Sequence, residues 1–472
     1  MTATRPAPVP TPYNQLSRLP DLQQAFLDLR LCLFIHFNIA TYQDREWGDE
    51  WGPVSAFDPS KLDTDQWAEA AISAGMKGAF LTAKHHDGFC IWPTKTGTDS
   101  VLHTPSKIDV IDAYVQSFRK RGLTVGFHYS ILDKRNDIRH FNLAPAKVQL
   151  VKDQLTELLT NYGEINMIIF DGWSSPWGRI PYTEFPFDDI YRLVKRIQPN
   201  CLITDLNASQ WPSSGLFYGD IKAFEQNAGE ACAALPSKNH LPAFSCVTLT
   251  DGWFWKLADA HRSLKPTKQI VNEWLIPQNE QHCTLIVNAP PNREGRLEKN
   301  LVHALKEIGK AWKHPGPAPP LKGAYEPITT NSLAQGVAIR GSRCADTFGP
   351  DLANDGVLGH TWYTENGEKH GWLELTFPSS TAYNTLVIVE PIGRFGDYPT
   401  TRIGDFFWEC DDANGDWKVL IHGKGAEAVI THKVPRTVST KLRLRFDVAR
   451  DTAHINEIMV FDEPERVSTI PL

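Results

Sequence analysis

Between residues 30 and 310 short apolar runs alternate with longer segments whose apolar positions recur every three to four residues. This alternation is the pattern of repeated strand–helix units around a parallel sheet, because a strand covered on both faces reads as an unbroken apolar run. Candidate strands are LCLFIHFNI, GAFLTAKHH, TVGFHYS, MIIFDG, CLITDL, GLFYGDI, FSCVTLT and CTLIVNAP. Between them TDQWAEAAISAG predicts a helix with Thr64 as N-cap and Gly75 as its stop. DVIDAYVQSFRKRG, APAKVQLVKDQLTELLTNYG and LEKNLVHALKEIGKAWKHPG carry the same helical period. Eight strands with helices between most of them predict an α/β fold, a (β/α)8 TIM-like barrel over residues 1–316. A doubly wound open sheet fits less well, since neither a G-x-G-x-x-G nor a P-loop follows the first strand.

The pattern changes at KHPGPAPPLKG, a Pro/Gly-rich stretch that reads as a linker, placed at residues 317–328. From 329 to 472 strict alternation takes over in WLELTF, NTLVIVE, FFWEC, WKVLIHG, KLRLRFD and INEIMVFD, with turn residues between and no long helical window. That is the signature of an all-β sandwich.

Composition narrows the function. A net charge of -7 and a pI near 6.2 argue against a nucleic-acid or anionic-membrane partner. No run of eighteen apolar residues exists, and the first twenty residues lack the apolar core of a signal peptide. A cytoplasmic protein is expected, or a secreted or periplasmic one whose leader is absent from this chain. Eight cysteines without a C-x-x-C pair suggest neither zinc nor a disulfide framework.

Chemistry concentrates where the barrel strands should end. His36, Lys84, His85, His86, His128, Asp171 and Asp205 all close apolar runs, which places them at the mouth of a barrel. Asp171 stands out, delivered by four apolar residues and followed by Gly172 and Trp173. Two readings compete. A metal-dependent hydrolase wants histidines that converge on one ion, whereas adjacent His85 and His86 on a strand would point to opposite faces. A glycosidase wants paired carboxyls and neutral hydrogen-bonding groups for hydroxyls, which fits better. Neither a metal nor a cofactor is expected.

FIHFN, DREWGDEW, LTAKHHDGFCIWPT, IIFDGW, DGWFWK and LIVNAPPNREGRL, in this order, resemble the α-L-fucosidases of glycoside hydrolase family 29. The resemblance implies retaining hydrolysis of α-L-fucosyl linkages in fucosylated glycans, with Asp171 as nucleophile. It assigns His36, His85 and His86 to fucose hydroxyls, and Glu46 and Trp47 to the loop after the first strand. Glu50 and Trp51 form a near duplicate of that pair four residues on. His128 stands where many members carry tyrosine, and is retained here as a sugar contact beside Trp173. The acid/base falls on Glu225 or Glu230, with Glu225 nearer the sixth strand. Trp253, Phe254 and Trp255 could supply an apolar patch for the fucose methyl; Trp255 is the chosen contact and Phe254 reads as core. The C-terminal sandwich resembles a discoidin-type carbohydrate-binding module, whose Asn/Asp/Gly loop before Trp362 is open to sugar, calcium or plain turn chemistry. A catalytically inactive glycan-binding protein on the same scaffold is the alternative. The linkage stays open among α-1,3/4, xyloglucan and N-glycan fucosides.

Overall fold

Five apolar residues, Leu31–Ile35, form the first strand (β1), all buried because each faces either the covering helices or the interior of a sheet closed on itself. The structure, a computed structural model, describes residues 18–173, 178–182, 184–206, 216–225, 239–322, 325–357, 360–391, 402–412, 414–425 and 429–464. After β1 come β2 (Gly78–Lys84), β3 (Thr124–Ser130), β4 (Met167–Asp171), β5 (Leu202–Asp205), β6 (Lys222–Glu225), β7 (Ala243–Thr248) and β8 (Cys283–Asn288). They pair in parallel in the order β5-β4-β3-β2-β1-β8-β7-β6. First and last strands in sequence are therefore neighbours, which curls the sheet into a TIM-like barrel.

The seam between β5 and β6 is closed differently. Asp220, fully buried, donates its N–H to the Ile203 carbonyl (2.6 Å) and accepts the Ile203 N–H on its carboxylate (2.9 Å). The same carboxylate takes the Tyr191 hydroxyl at 2.7 Å and the Lys195 ammonium at 2.7 Å. This corrects the expected sixth strand, GLFYGDI. Asp220 is spent on the seam, the barrel strand begins only at Lys222, and Leu216–Phe217 pairs instead with Pro327–Ile328.

Period-two alternation sorts the strand residues. Cys32, Phe34, Phe80, Met167, Ile169, Ala223, Cys246 and Ile286 point inward and cluster with Phe26 and Leu27 of the first helix, Leu19–Leu27, so that this helix shares the core of the barrel interior. Gly126 has no alternative there, since a Cβ would come within 2.5 Å of the Phe80 ring. The intervening residues, such as Leu33, Leu81, Phe127 and Ile168, pack beneath the helices.

Helices Thr64–Ser73, Val110–Arg119, Pro145–Asn161 and Lys299–Ala311 form where their periods place them. The cap of the first moves by one residue: Asp63, not Thr64, accepts the Gln66 N–H (3.0 Å), while the Thr64 hydroxyl turns to the Ala113 carbonyl. Ala318 and Leu321, in the stretch read as a linker, donate N–H groups to Asp28 and Gln24 at the first helix.

A second compact unit holds Pro327–Val467 together with Gln210–Phe217. Its antiparallel sheet runs Ala338–Gly341, His370–Val389, Val429–Val448, Ile403–Asp411, Trp417–Lys424, and Glu457–Phe461 pairs with the far half of His370–Val389. Bulges near Thr381 and Thr385 divide that long strand between the pairings. The result is a β-sandwich around Trp362, Tyr383, Trp408 and Phe446. In the loop before Trp362, Asn354 donates to the Ala334 and Val337 carbonyls, which is turn chemistry.

Candidate active site

The parity that puts Phe34 inside the barrel also puts His36 at its mouth, and the same step of two carries Ile169 to Asp171, Ala223 to Glu225 and Gly126 to His128. These side chains meet around a cavity of about 180 Å³, room for one sugar ring. Its walls include His36, His85, His86, His128, Asp171 and Glu225. Glu46 and Trp47 close one side, and Phe34, Leu206, Cys246 and Trp253 supply apolar surface.

Asp171 is the centre of the polar network. The His128 Nε2–H donates to its Oδ2 at 3.2 Å, and His86 Nε2 stands 3.5 Å from the same oxygen. Ser130 sets the His86 tautomer: its hydroxyl gives its own proton to the Leu132 carbonyl (2.7 Å), so it can only accept from His86 Nδ1 (2.7 Å). His36 is fixed by the same logic. Asn288 donates through Nδ2 to the Trp253 carbonyl (2.8 Å), which turns its oxygen toward His36 Nδ1 at 2.8 Å. Both rings thus offer a bare Nε2.

Burial keeps His36, His85 and His86 uncharged. It pushes His36 and His85 well below the ordinary histidine value, helped by the neighbouring imidazoles, and holds His86 at about 4. The opposite holds for Glu225, raised well above the carboxylic range first by burial and then by the negative charge of Asp171. Its Oε2 has no hydrogen-bond partner among the described residues.

His85 and His86 depart from the alternation expected of them. β2 ends at Lys84, and a register shift between Thr82 and Lys84 precedes a turn, so both rings enter the cavity with centroids 4.1 Å apart. His85, His86 and Asp171 place ligand atoms within 4.8 Å of one another. Lys84 itself faces away, into a buried pair with Asp133.

Of the duplicated pairs, Glu46–Trp47 lines the cavity; Glu46 binds Lys256 at 2.8 Å and accepts the Trp253 N–H. Two expected contacts are corrected. Trp173 is fully buried behind the mouth, because Gly172 at φ +106° reverses the chain and sends the indole to the Phe185 carbonyl (2.9 Å). Trp255 packs under Arg293, 5.8 Å from its ring, because the segment 249–254 bends where an extended one was expected. Trp253 takes its place in the cavity, while Phe254 lies under His36 and His85. Asp205 stays behind the wall, holding the Tyr182 hydroxyl at 2.7 Å and raised well above its ordinary value by burial and by Asp171. Glu230 and residues 174–177 lie outside the described residues. Phe34, Leu206 and Cys246 were missed, although Phe34 and Cys246 follow from strand parity.

A parallel barrel whose mouth joins two carboxyl groups to imidazoles and indoles is built as a glycoside hydrolase. The chain belongs to the α-L-fucosidase family, glycoside hydrolase family 29: the family model described as Alpha-L-fucosidase matches residues 52–316. Alpha-L-fucosidase 1 of Arabidopsis thaliana is 27% identical over 459 residues, spanning 91% of this chain and 82% of that protein. Among solved structures, α-L-fucosidase isoenzyme 1 from Paenibacillus thiaminolyticus aligns with a TM-score of 0.53 at 21% identity, over 92% of this chain and 100% of that one. A glycoside hydrolase 29 family member from an unknown rumen bacterium aligns at 0.52 and 24%, over 98% and 79%.

Proposed function

We propose that this protein is a retaining α-L-fucosidase that releases terminal α-L-fucosyl residues from neutral glycans. The observation that carries the reading is the contrast between two carboxyls in one cavity: Asp171 accepts from His128, while Glu225 is driven toward its protonated form. A pair of acids pushed apart in this way assigns nucleophile and acid. Asp171 attacks the anomeric carbon as the bond to the leaving oxygen breaks, and Glu225 gives that oxygen its proton. Glu225, now a carboxylate, takes a proton from water, whose oxygen attacks the same carbon and releases Asp171. Two inversions give net retention.

The bare Nε2 atoms of His36 and His86 accept from sugar hydroxyls, and Phe34, Leu206 and Trp253 give the deoxy-sugar's methyl an apolar wall. None of these five side chains adds charge beside a neutral ligand. Support from relatedness is the family membership and the Arabidopsis relative named as an α-L-fucosidase.

The test uses an aryl α-L-fucoside with sodium azide. Asp171→Gly should be inactive alone and form β-fucosyl azide; Glu225→Ala should regain turnover and form α-fucosyl azide. Wild-type activity in the first removes Asp171 as nucleophile, and failed rescue in the second moves the acid/base to Glu230 or another group.

A further inference from the structure

The loop that brings Trp47 to the cavity continues outward with a second copy of its motif. REWG at Arg45–Gly48 is followed by DEWG at Asp49–Gly52. Glu50 turns to Arg139 (2.8 Å) and Lys134 (3.3 Å). Trp51 leaves 87% of its surface in water, more than any other large apolar side chain among the described residues. Packing gives no reason for an indole there, since exposure forgoes most of the burial energy that such a ring supplies.

The backbone beneath it is nonetheless tied at every step. Asp49 accepts the N–H groups of Trp51 (3.0 Å) and Gly52 (2.7 Å), and Gln43 accepts that of Asp49 (2.8 Å). Arg135 donates to the carbonyls of Asp49 (3.3 Å) and Gly52 (3.0 Å), and Lys134 donates to that of Gly48 (2.7 Å). Exposed loops without a task are seldom bonded so densely. A second exposed ring, Phe141 at 71%, stands two residues beyond Arg139. The Glu50–Arg139 pair is therefore flanked by an indole from the loop after β1 and a phenyl from the loop after β3, both at the barrel mouth.

We propose that Trp51, with Phe141 as a second ring, stacks against the C–H face of the sugar next to the scissile bond and so selects the leaving group. This rests on the glycosidase reading above. Trp47 lines the cavity and Trp51 follows four residues later on the same loop, so that one loop carries a ring at the site and a second ring outside it. A neutral pyranose offers an apolar face to the indole and equatorial hydroxyls to the Glu50–Arg139 pair, whereas a charged ring would compete with one partner of that pair.

The experiment compares wild type and Trp51→Ala on α-L-fucosyl fluoride, which has no second sugar, and on a neutral fucosylated trisaccharide. Expected is an unchanged kcat/KM on the fluoride and a fall of about tenfold on the trisaccharide, the scale of one aromatic stack. Equal losses on both substrates, or none on the trisaccharide, overturn the proposal. Saturation-transfer NMR of the trisaccharide on Asp171→Asn, with and without Trp51→Ala, gives a readout free of catalysis. Outer-ring C–H signals should depend on Trp51, and their persistence in the double variant overturns the platform. A wild type that leaves the fluoride intact sinks the hydrolase reading, while the NMR comparison still decides the stacking.

Discussion

Lys84 and Asp133 form an ion pair 2.8 Å long with neither side chain exposed, one residue before the two histidines of the cavity. Lys84 also reaches Gln154 (3.2 Å) and lies 4.4 Å from the centre of the Tyr129 ring, while Asp133 holds both nitrogens of Asn136. The pair anchors the turn from which His85 and His86 enter the site. Lys84→Ala should cost about 3–5 kcal/mol, the range for stranding one buried charge. Urea unfolding measures it, and Lys84→Met with Asp133→Leu should recover most of the loss.

The pH profile of catalysis follows from Glu225. Because burial and the Asp171 charge raise it, the acid form persists well above the ordinary carboxyl range, and kcat/KM should fall as pH rises through that raised value. Glu225→Gln should abolish the alkaline limb. It should cost about 10²–10⁴ on a natural leaving group and little in the first step on a dinitrophenyl fucoside, which leaves unaided.

Acid should loosen the barrel through its histidines. His36, His85 and His86 bind protons less readily folded than unfolded, so the unfolded chain gains protons first. Their contribution to stability is complete above about pH 6.5, the unfolded value. For His86 it is lost as pH falls from there toward about 4. Melting temperature between those limits should drop, and less steeply in His86→Asn.

Ser130→Ala removes the acceptor that holds the His86 proton on Nδ1. The ring is then free to present N–H instead of a lone pair to the cavity. KM should rise severalfold, the worth of about one hydrogen bond, with kcat less affected.

Chelation separates the two readings of the mouth. His85, His86 and Asp171 are close enough to share an ion, but Asp171 Oδ2 already accepts from His128. Dialysis against EDTA should leave hydrolysis unchanged; a loss restored by added divalent metal would make the trio a metal centre.

The barrel was legible because its strands are apolar runs and its helices keep their period. The positions of His36, His128 and Asp171 followed from the ends of regular strands, whereas Glu225 came from the family resemblance and lay beyond the strand expected there. Parity failed wherever regularity did. The register shift before Lys84 turned that residue outward and let His85 and His86 share one side. The reversal at Gly172 hid Trp173, and the bends at 249–254 exchanged Trp255 for Trp253. Asp220 was invisible for another reason. It stood inside the expected strand GLFYGDI, and only the three-dimensional neighbourhood shows it bonded to a backbone N–H on β5.

That carboxylate also decides how the barrel is closed. A peptide ladder locks two strands along their whole length, whereas β5 meets the start of β6 through Asp220 and through the Thr204 hydroxyl, which donates to the Ile221 carbonyl at 2.7 Å. This side of the barrel is therefore held by side chains as well as by backbone. The strands that lead to His36, His86, His128 and Asp171 are β1, β2, β3 and β4, paired to one another without a break, so the grip on the released sugar does not depend on how that seam is closed.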